Sequence, residues 1–149
     1  MKTCAFTGHR VLAGTDYDAH LLERVVADLA AAGVTRFLCG MAIGFDMEAA
    51  KAVVALKDKR SVELVACLPC ANQSERFSQK NKLLYEKLLN LCDERVLLQE
   101  NYTDGCMQRR DRYLVDNCDV LVCFLRRSRG GTYYTVKYAE RSGKKIISL

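Results

Sequence analysis

Short apolar runs rich in β-branched residues alternate along this chain with longer stretches in which apolar side chains return every three or four positions. Lys2–Thr7 reads as a first strand, and Asp16–Ala32 as a helix with Leu21, Leu22, Val25, Val26 and Leu29 on one face, stopped by Gly33. Thr35–Cys39 predicts a second strand, followed by an alanine-rich helix over Phe45–Lys57 whose small side chains allow close packing on a sheet. Ser61–Leu68 is a third strand; Ser74–Leu91 then reads as an amphipathic helix with Ser74 as its N-cap, ahead of a short strand at Arg95–Gln99. The rest predicts helix Cys106–Asn117, strand Asp119–Leu125, helix Thr132–Ser142 ended by Gly143, and a last strand Lys145–Leu149. Six strands alternating with five helices imply an α/β fold: a doubly wound, mainly parallel sheet with helices on both faces.

Nine glycines and one proline in 149 residues are too few for linkers or low complexity, so residues 1–149 are expected to form one domain. No apolar run approaches the roughly 18 residues that span a bilayer, and Met1-Lys2-Thr3 leads straight into a strand rather than a signal sequence. A cytoplasmic protein without a membrane partner is expected. The net charge of +5 is spread along the chain, which permits an anionic partner without demanding nucleic acid. Eight cysteines with no secretion signal read as reduced thiols. Cys4, Cys39, Cys118 and Cys123 sit in apolar runs as small core residues, whereas Cys67-Leu-Pro-Cys70 has the spacing of a redox pair or half a zinc site. No second pair stands at zinc-ligand spacing, and no metal is expected.

The glycines carry more information. In doubly wound sheets the ligand lies outside the carboxyl ends of the strands, where strand order reverses. The first strand runs into Gly8-His9-Arg10, the second into Gly40-Met-Ala42-Ile-Gly44-Phe-Asp46, and the fifth, after a loop containing Arg126, Arg127 and Arg129, into Gly130-Gly131-Thr132. The last two open directly onto helices, whose N-termini offer free N–H donors and a partial positive charge. Three such loops at one rim suit a phosphate or another anion, with arginine as a bidentate clamp. The alternative reading is that strand-to-helix turns need glycine regardless of any ligand. There is no G-x-x-x-x-G-K-[ST], no G-x-G-x-x-G, no G-x-S-x-G and no H-E-x-x-H, which speaks against P-loop enzymes, ordinary dehydrogenases, α/β-hydrolases and zincins.

Four segments in order, Phe6-Thr-Gly-His-Arg10, Gly40-x-Ala-x-Gly-Phe-Asp46 with Glu48-Ala-Ala-x-Ala-Val53, Arg110-x-Arg-x-Leu-Val-Asp116 with Cys118-Asp119, and Gly130-Gly-Thr-x-x-Thr-Val-x-Tyr-Ala139, resemble the SLOG superfamily, and within it the YpsA-like branch. The resemblance covers the chain nearly end to end. It implies a Rossmann-like domain that binds a nucleotide or a nucleotide-derived ligand such as ADP-ribose or NAD, acting as a sensor in a bacterial regulatory role. It implies no established reaction and no firm cofactor. More distant members are the Lonely Guy phosphoribohydrolases and the DNA-processing protein DprA.

Lonely Guy enzymes use an arginine in a Met-His-x-Arg-Lys segment and a glutamate just after Pro-Gly-Gly-x-Gly-Thr. Met107-Gln-Arg-Arg110-Asp111 matches the arginine at Arg110 but departs at Gln108 and Asp111. Tyr133, Tyr134 and Thr135 stand where the carboxylate belongs, so N-glycoside hydrolysis would need Asp46, Glu48 or Glu140 as a substitute. With no assured acid or base, the enzyme reading is secondary to binding. The expected ligand residues are Gly8, His9, Arg10, Gly40, Ala42, Gly44, Asp46, Arg110, Gly130, Gly131 and Thr132.

Each of these has a plainer role too. Arg10 is either a phosphate ligand or a solvated loop residue. Arg110 and Arg112 lie two apart on one helix and cannot share a face, which leaves Arg112 to pair with Asp116. Asp46 either caps its helix or accepts from a ribose hydroxyl. Tyr133 and Tyr134 either stack on a base or pack at the surface. His20 reads as a solvated helix residue. A DprA-type single-stranded DNA site would draw on Arg126–Arg129 with Tyr133 and Tyr134. A homodimer is expected by analogy, with Leu83, Leu84, Leu88 and Leu91 as one candidate surface, and a protein partner switched by the ligand is the remaining option.

Overall fold

The computed structural model describes residues 1–149. The chain runs β1 (Thr3–Gly8), α1 (Ala19–Ala31), β2 (Arg36–Cys39), α2 (Phe45–Leu56), β3 (Glu63–Leu68), α3 (Gln79–Asn90), β4 (Glu94–Leu97), α4 (Cys106–Asp116), β5 (Val120–Phe124), α5 (Gly131–Arg141) and β6 (Lys145–Ser148). All strands pair in parallel, in the order β4-β3-β2-β1-β5-β6. The first three crossovers step outward from β1 to the β4 edge. The fourth returns across the sheet to β5, on the far side of β1. Strand order therefore reverses between β1 and β5, which opens a crevice above their carboxyl ends.

The sheet separates two cores. Cys4 and Phe6 of β1 and Val120, Val122 and Phe124 of β5 face α1, α2 and α3 through Leu22, Val26, Val53 and Leu88. Ala5, Leu121 and Cys123 face the other way, onto Leu114 and Val115 of α4 and Val136 and Ala139 of α5. Alternation along central strands buried on both sides explains why β1 and β5 read as continuous apolar runs.

Four expectations need correction. α3 begins at Gln79, not Ser74: the Ser78 hydroxyl caps the helix by accepting from the Asn81 N–H at 3.2 Å. Residues 71–77 form turns instead, and Gln73 reaches inward to donate to the Gly40 carbonyl. α1 likewise starts late, because extended Asp18 accepts from the His20 N–H while Asp16 pairs with Arg126. The four leucines proposed as a dimer surface do not share a face. Leu88 is in the core and Leu84 packs against it, while Leu83 points to solvent, as a helical period of 3.6 dictates, and Leu91 is exposed as the C-cap at the end of α3. Nor do Arg112 and Asp116 pair, since Asp116 accepts instead from the Tyr138 hydroxyl at 2.7 Å. All eight cysteines are free thiols, seven of them buried, including Cys67 and Cys70. Burial pushes the Cys67 thiol up to about 12 and raises Cys70, which suits inert core packing better than redox chemistry. No helix is long and apolar enough to cross a membrane.

Candidate functional site

A cleft of about 800 Å³ lies above the β1/β5 switch point. Gly8, His9 and Arg10 enter it from β1, Ala42 and Asp46 from the β2–α2 turn, Arg110 from α4, and Gly131 and Thr132 from the start of α5. Arg126, Arg127 and Arg129 close its β5 side. The three loops that the sequence places at the strand ends thus converge on one hollow.

Most of the glycines, however, answer to the protein itself. A Cβ on Gly8 would collide with the Phe45 ring, and one on Gly44 with the backbone of His9 and Arg10. Gly44 also has φ of 81°, and its lack of a side chain lets the Phe45 N–H reach the His9 carbonyl at 3.1 Å, tying the first two loops together. At Gly40 a Cβ would stand 2.7 Å from Nη1 of Arg110. Gly40, Gly44 and Gly130 do not line the cleft. Gly131 does, and the space beside it is open.

Arg110 and Asp46 form the floor. The Arg110 side chain is 4% exposed; its Nη1 donates to the Gly40 carbonyl at 2.5 Å and to Gln73 Oε1 at 3.3 Å, and its Nε to Asp111 Oδ1 at 2.8 Å. Asp46 Oδ2 accepts from the Ala42 N–H at 3.1 Å, so the β2–α2 loop turns a donor inward to its own helix. Burial pushes the Asp46 carboxyl up to about 6, against the opposing pull of Arg110 and the Ala42 N–H. Met41, between them, is buried with φ of 61°, a strained conformation that the sequence did not signal.

The basic loop divides into occupied and free groups. Arg126 is engaged twice, forking onto Asp16 at 2.7 and 3.3 Å and lying 4.2 Å over the Phe124 ring. Arg10, Arg127 and Arg129 pair with no carboxylate.

His9 is 5% exposed and its Nε2 accepts from the Arg126 backbone N–H at 2.8 Å. An amide N–H can only donate, so Nε2 is unprotonated and the neutral ring carries its hydrogen on Nδ1. Nδ1 lies 3.4 Å from Nη2 of Arg127, which also can only donate. Two donors therefore face each other without an acceptor between them. Burial, followed by Arg127 and Arg126, lowers the His9 pKa and keeps the ring neutral.

The other predicted residues lie elsewhere. Glu48 pairs with Lys51 and Glu140 with Lys137, both outside the cleft, so neither replaces the missing glutamate. Tyr133 packs under Lys137 and Tyr134 borders a separate hollow between α4 and α5; neither joins the arginines in the cleft. His20 is solvent-exposed, as expected. Val11, Ala13 and Thr15 of the β1–α1 loop, and Tyr102, Asp104 and Gly105 ahead of α4, line the cleft although the sequence reading did not single them out. Their signal is position alone: every loop after a strand's carboxyl end reaches this rim.

Comparison with known proteins agrees with this architecture. The chain resembles DprA from Streptococcus pneumoniae, with a TM-score of 0.72 at 18% identity over 99% of this chain and 50% of that one. It also resembles Helicobacter pylori DprA, described with a single-stranded DNA binding mode, with a TM-score of 0.69 at 20% identity over 99% and 65%. The chain thus spans about half to two-thirds of those proteins. A third structure, TM1055, superimposes with a TM-score of 0.60 at 19% identity, over 98% of this chain and 72% of that one. In sequence, the uncharacterized SPbeta prophage-derived protein YoqJ of Bacillus subtilis is 27% identical over 120 residues, covering 72% of this chain and 70% of that protein. The YpsA family model, described as the YspA SLOG family, matches residues 15–146, and the chain belongs to that family.

Proposed function

We propose that the cleft binds a nucleotide or a nucleotide-derived ligand of the ADP-ribose or NAD class, with phosphate on the β5 side, and that binding serves a sensing role. The observation that carries this reading is the opposed donor pair, His9 Nδ1 and Arg127 Nη2, 3.4 Å apart. One anionic oxygen set to the side of the pair, within hydrogen-bond reach of both nitrogens, satisfies both, and Arg10, Arg129 and the N-terminus of α5 supply further donors around the same space. Asp46 is the acceptor on the floor for a ribose hydroxyl.

Calorimetry against ADP, ADP-ribose, NAD, pyrophosphate and a single-stranded oligonucleotide tests the reading. The small anions are expected to bind, and Arg127→Ala is expected to weaken them about 10- to 100-fold, the loss of roughly one charge-assisted bond or a bidentate pair. Binding of the oligonucleotide alone, with an affinity that falls steeply with salt, would overturn it in favour of a DNA site like that described for the H. pylori neighbour.

A further inference from the structure

Two buried charged groups on the floor of the cleft each keep one polar atom without a partner. Arg110 is 4% exposed and Asp46 6%, and both line the cleft. Nη1 and Nε of Arg110 carry its bonds to Gly40, Gln73 and Asp111, which leaves Nη2 with no hydrogen bond inside the protein. Oδ2 of Asp46 accepts from the Ala42 N–H, which leaves Oδ1 free in the same way. No side-chain nitrogen or oxygen sealed from solvent lacks a partner in this chain. Both free atoms are therefore open, and the opening that these two buried residues line is the cleft.

Their positions are fixed by one turn. Arg110 Nη1 donates to the Gly40 carbonyl, and Asp46 Oδ2 accepts from Ala42, two residues further along. The two side chains do not pair with each other, because the carboxylate that Arg110 holds is Asp111. Each still feels the other's charge: burial raises the Asp46 carboxyl while Arg110 opposes the rise, and Asp46, after Asp111, helps keep buried Arg110 charged. An acceptor and a donor thus face the cleft beside one another with a gap between them.

That gap adjoins the phosphate end. The Phe45 N–H bonds to the His9 carbonyl at 3.1 Å, Asp46 follows Phe45, and the charge of Arg10 acts on Asp46. In a nucleotide the group next to the 5′-phosphate is the ribose, and the base lies beyond it. The 2′- and 3′-hydroxyls of ribose are neighbours, and each can both donate and accept. One can donate to Asp46 Oδ1 while the other accepts from Arg110 Nη2. A deoxyribose has one hydroxyl at this edge and leaves one of the two charged groups unmatched.

We infer that the 2′- and 3′-hydroxyls of a ribose bridge Asp46 Oδ1 and Arg110 Nη2, so that the cleft selects ribonucleotides over deoxyribonucleotides. The inference rests on the phosphate reading above and adds Arg110 as a ligand contact and the sugar as the group selected.

Calorimetry with ADP, 2′-deoxy-ADP, 3′-deoxy-ADP and pyrophosphate on the full chain tests it. Each deoxy analogue is expected to bind about tenfold more weakly than ADP, the loss of one hydrogen bond to a charged group. Asp46→Asn keeps an oxygen for the Ala42 N–H but replaces the free oxygen with an amino group. It should abolish the penalty for removing at least one of the two hydroxyls, and it should not weaken pyrophosphate, since it takes a negative charge away from the anion. Unchanged circular dichroism confirms the fold of that variant, and the comparison of analogues on the unmodified chain stands without it. Either deoxy analogue binding as tightly as ADP, or Asp46→Asn keeping both penalties, overturns the ribose assignment while pyrophosphate binding leaves the phosphate site standing. Failure of pyrophosphate and every nucleotide to bind overturns both.

Discussion

Gly40→Ala separates a glycine that serves the fold from one that serves a ligand. An added Cβ would stand 2.7, 2.8 and 2.9 Å from Nη1, Cζ and Nε of Arg110, inside any contact that real side chains make. The guanidinium must move, and it is buried and held by Gly40, Gln73 and Asp111. Displacement breaks the bonds from Nη1 to the Gly40 carbonyl and to Gln73. Hydrogen bonds to charged groups contribute roughly 1.5–3 kcal/mol each, against a gain of about 0.4–1 kcal/mol from stiffening the unfolded chain. The net loss is about 2–5.5 kcal/mol, which for a chain of this size lowers Tm by roughly 5–20 °C. Urea unfolding measures it directly. The same substitution at Gly131, where nothing lies within 4 Å, should leave stability within about 0.5 kcal/mol. The cause is confirmed by a double-mutant cycle: in an Arg110→Ala background the cost of Gly40→Ala should fall below about 1 kcal/mol. If Gly40→Ala costs the same with and without Arg110, or costs nothing, the packing account of this glycine is wrong.

The pH dependence of stability should carry the mark of Asp46. Its carboxyl is raised from 3.8 to about 6 in the folded chain, so between those values the native state binds the extra proton and stability from this group rises as pH falls. Relative to Asp46→Asn, the native protein should gain about 1–3 kcal/mol in urea unfolding between pH 7 and pH 4; a difference independent of pH would show that the carboxyl is not buried as described. At the start of α3, Ser78→Ala should cost about 1 kcal/mol, the loss of an N-cap, and Ser74→Ala close to nothing. The reverse ranking in thermal unfolding would restore the longer helix.

Five helices and six strands were legible in the chain because the inward stripe of each helix and the apolar runs of β1 and β5 are local patterns, set by periods of 3.6 and 2. The placing of glycine loops at strand ends was local too, and it led to the rim where the cleft opens. Ser74 and Ser78 show where such reasoning stops: both are sound N-caps in isolation, and Gln73 decides between them by reaching Gly40 on another loop. The functions of the glycines could not be read from their positions either. Gly8, Gly40 and Gly44 are required by Phe45, Arg110 and the His9–Arg10 backbone, partners up to seventy positions away that only the folded sheet brings near. The same holds for the site's chemistry. His9 and Arg127 are 118 residues apart, and an opposed pair of donors exists only after parallel pairing of β1 with β5 sets their two loops side by side. Composition and periodicity specify which backbone elements form; which side chains are left with an unmet hydrogen bond depends on distances that the chain acquires only on folding.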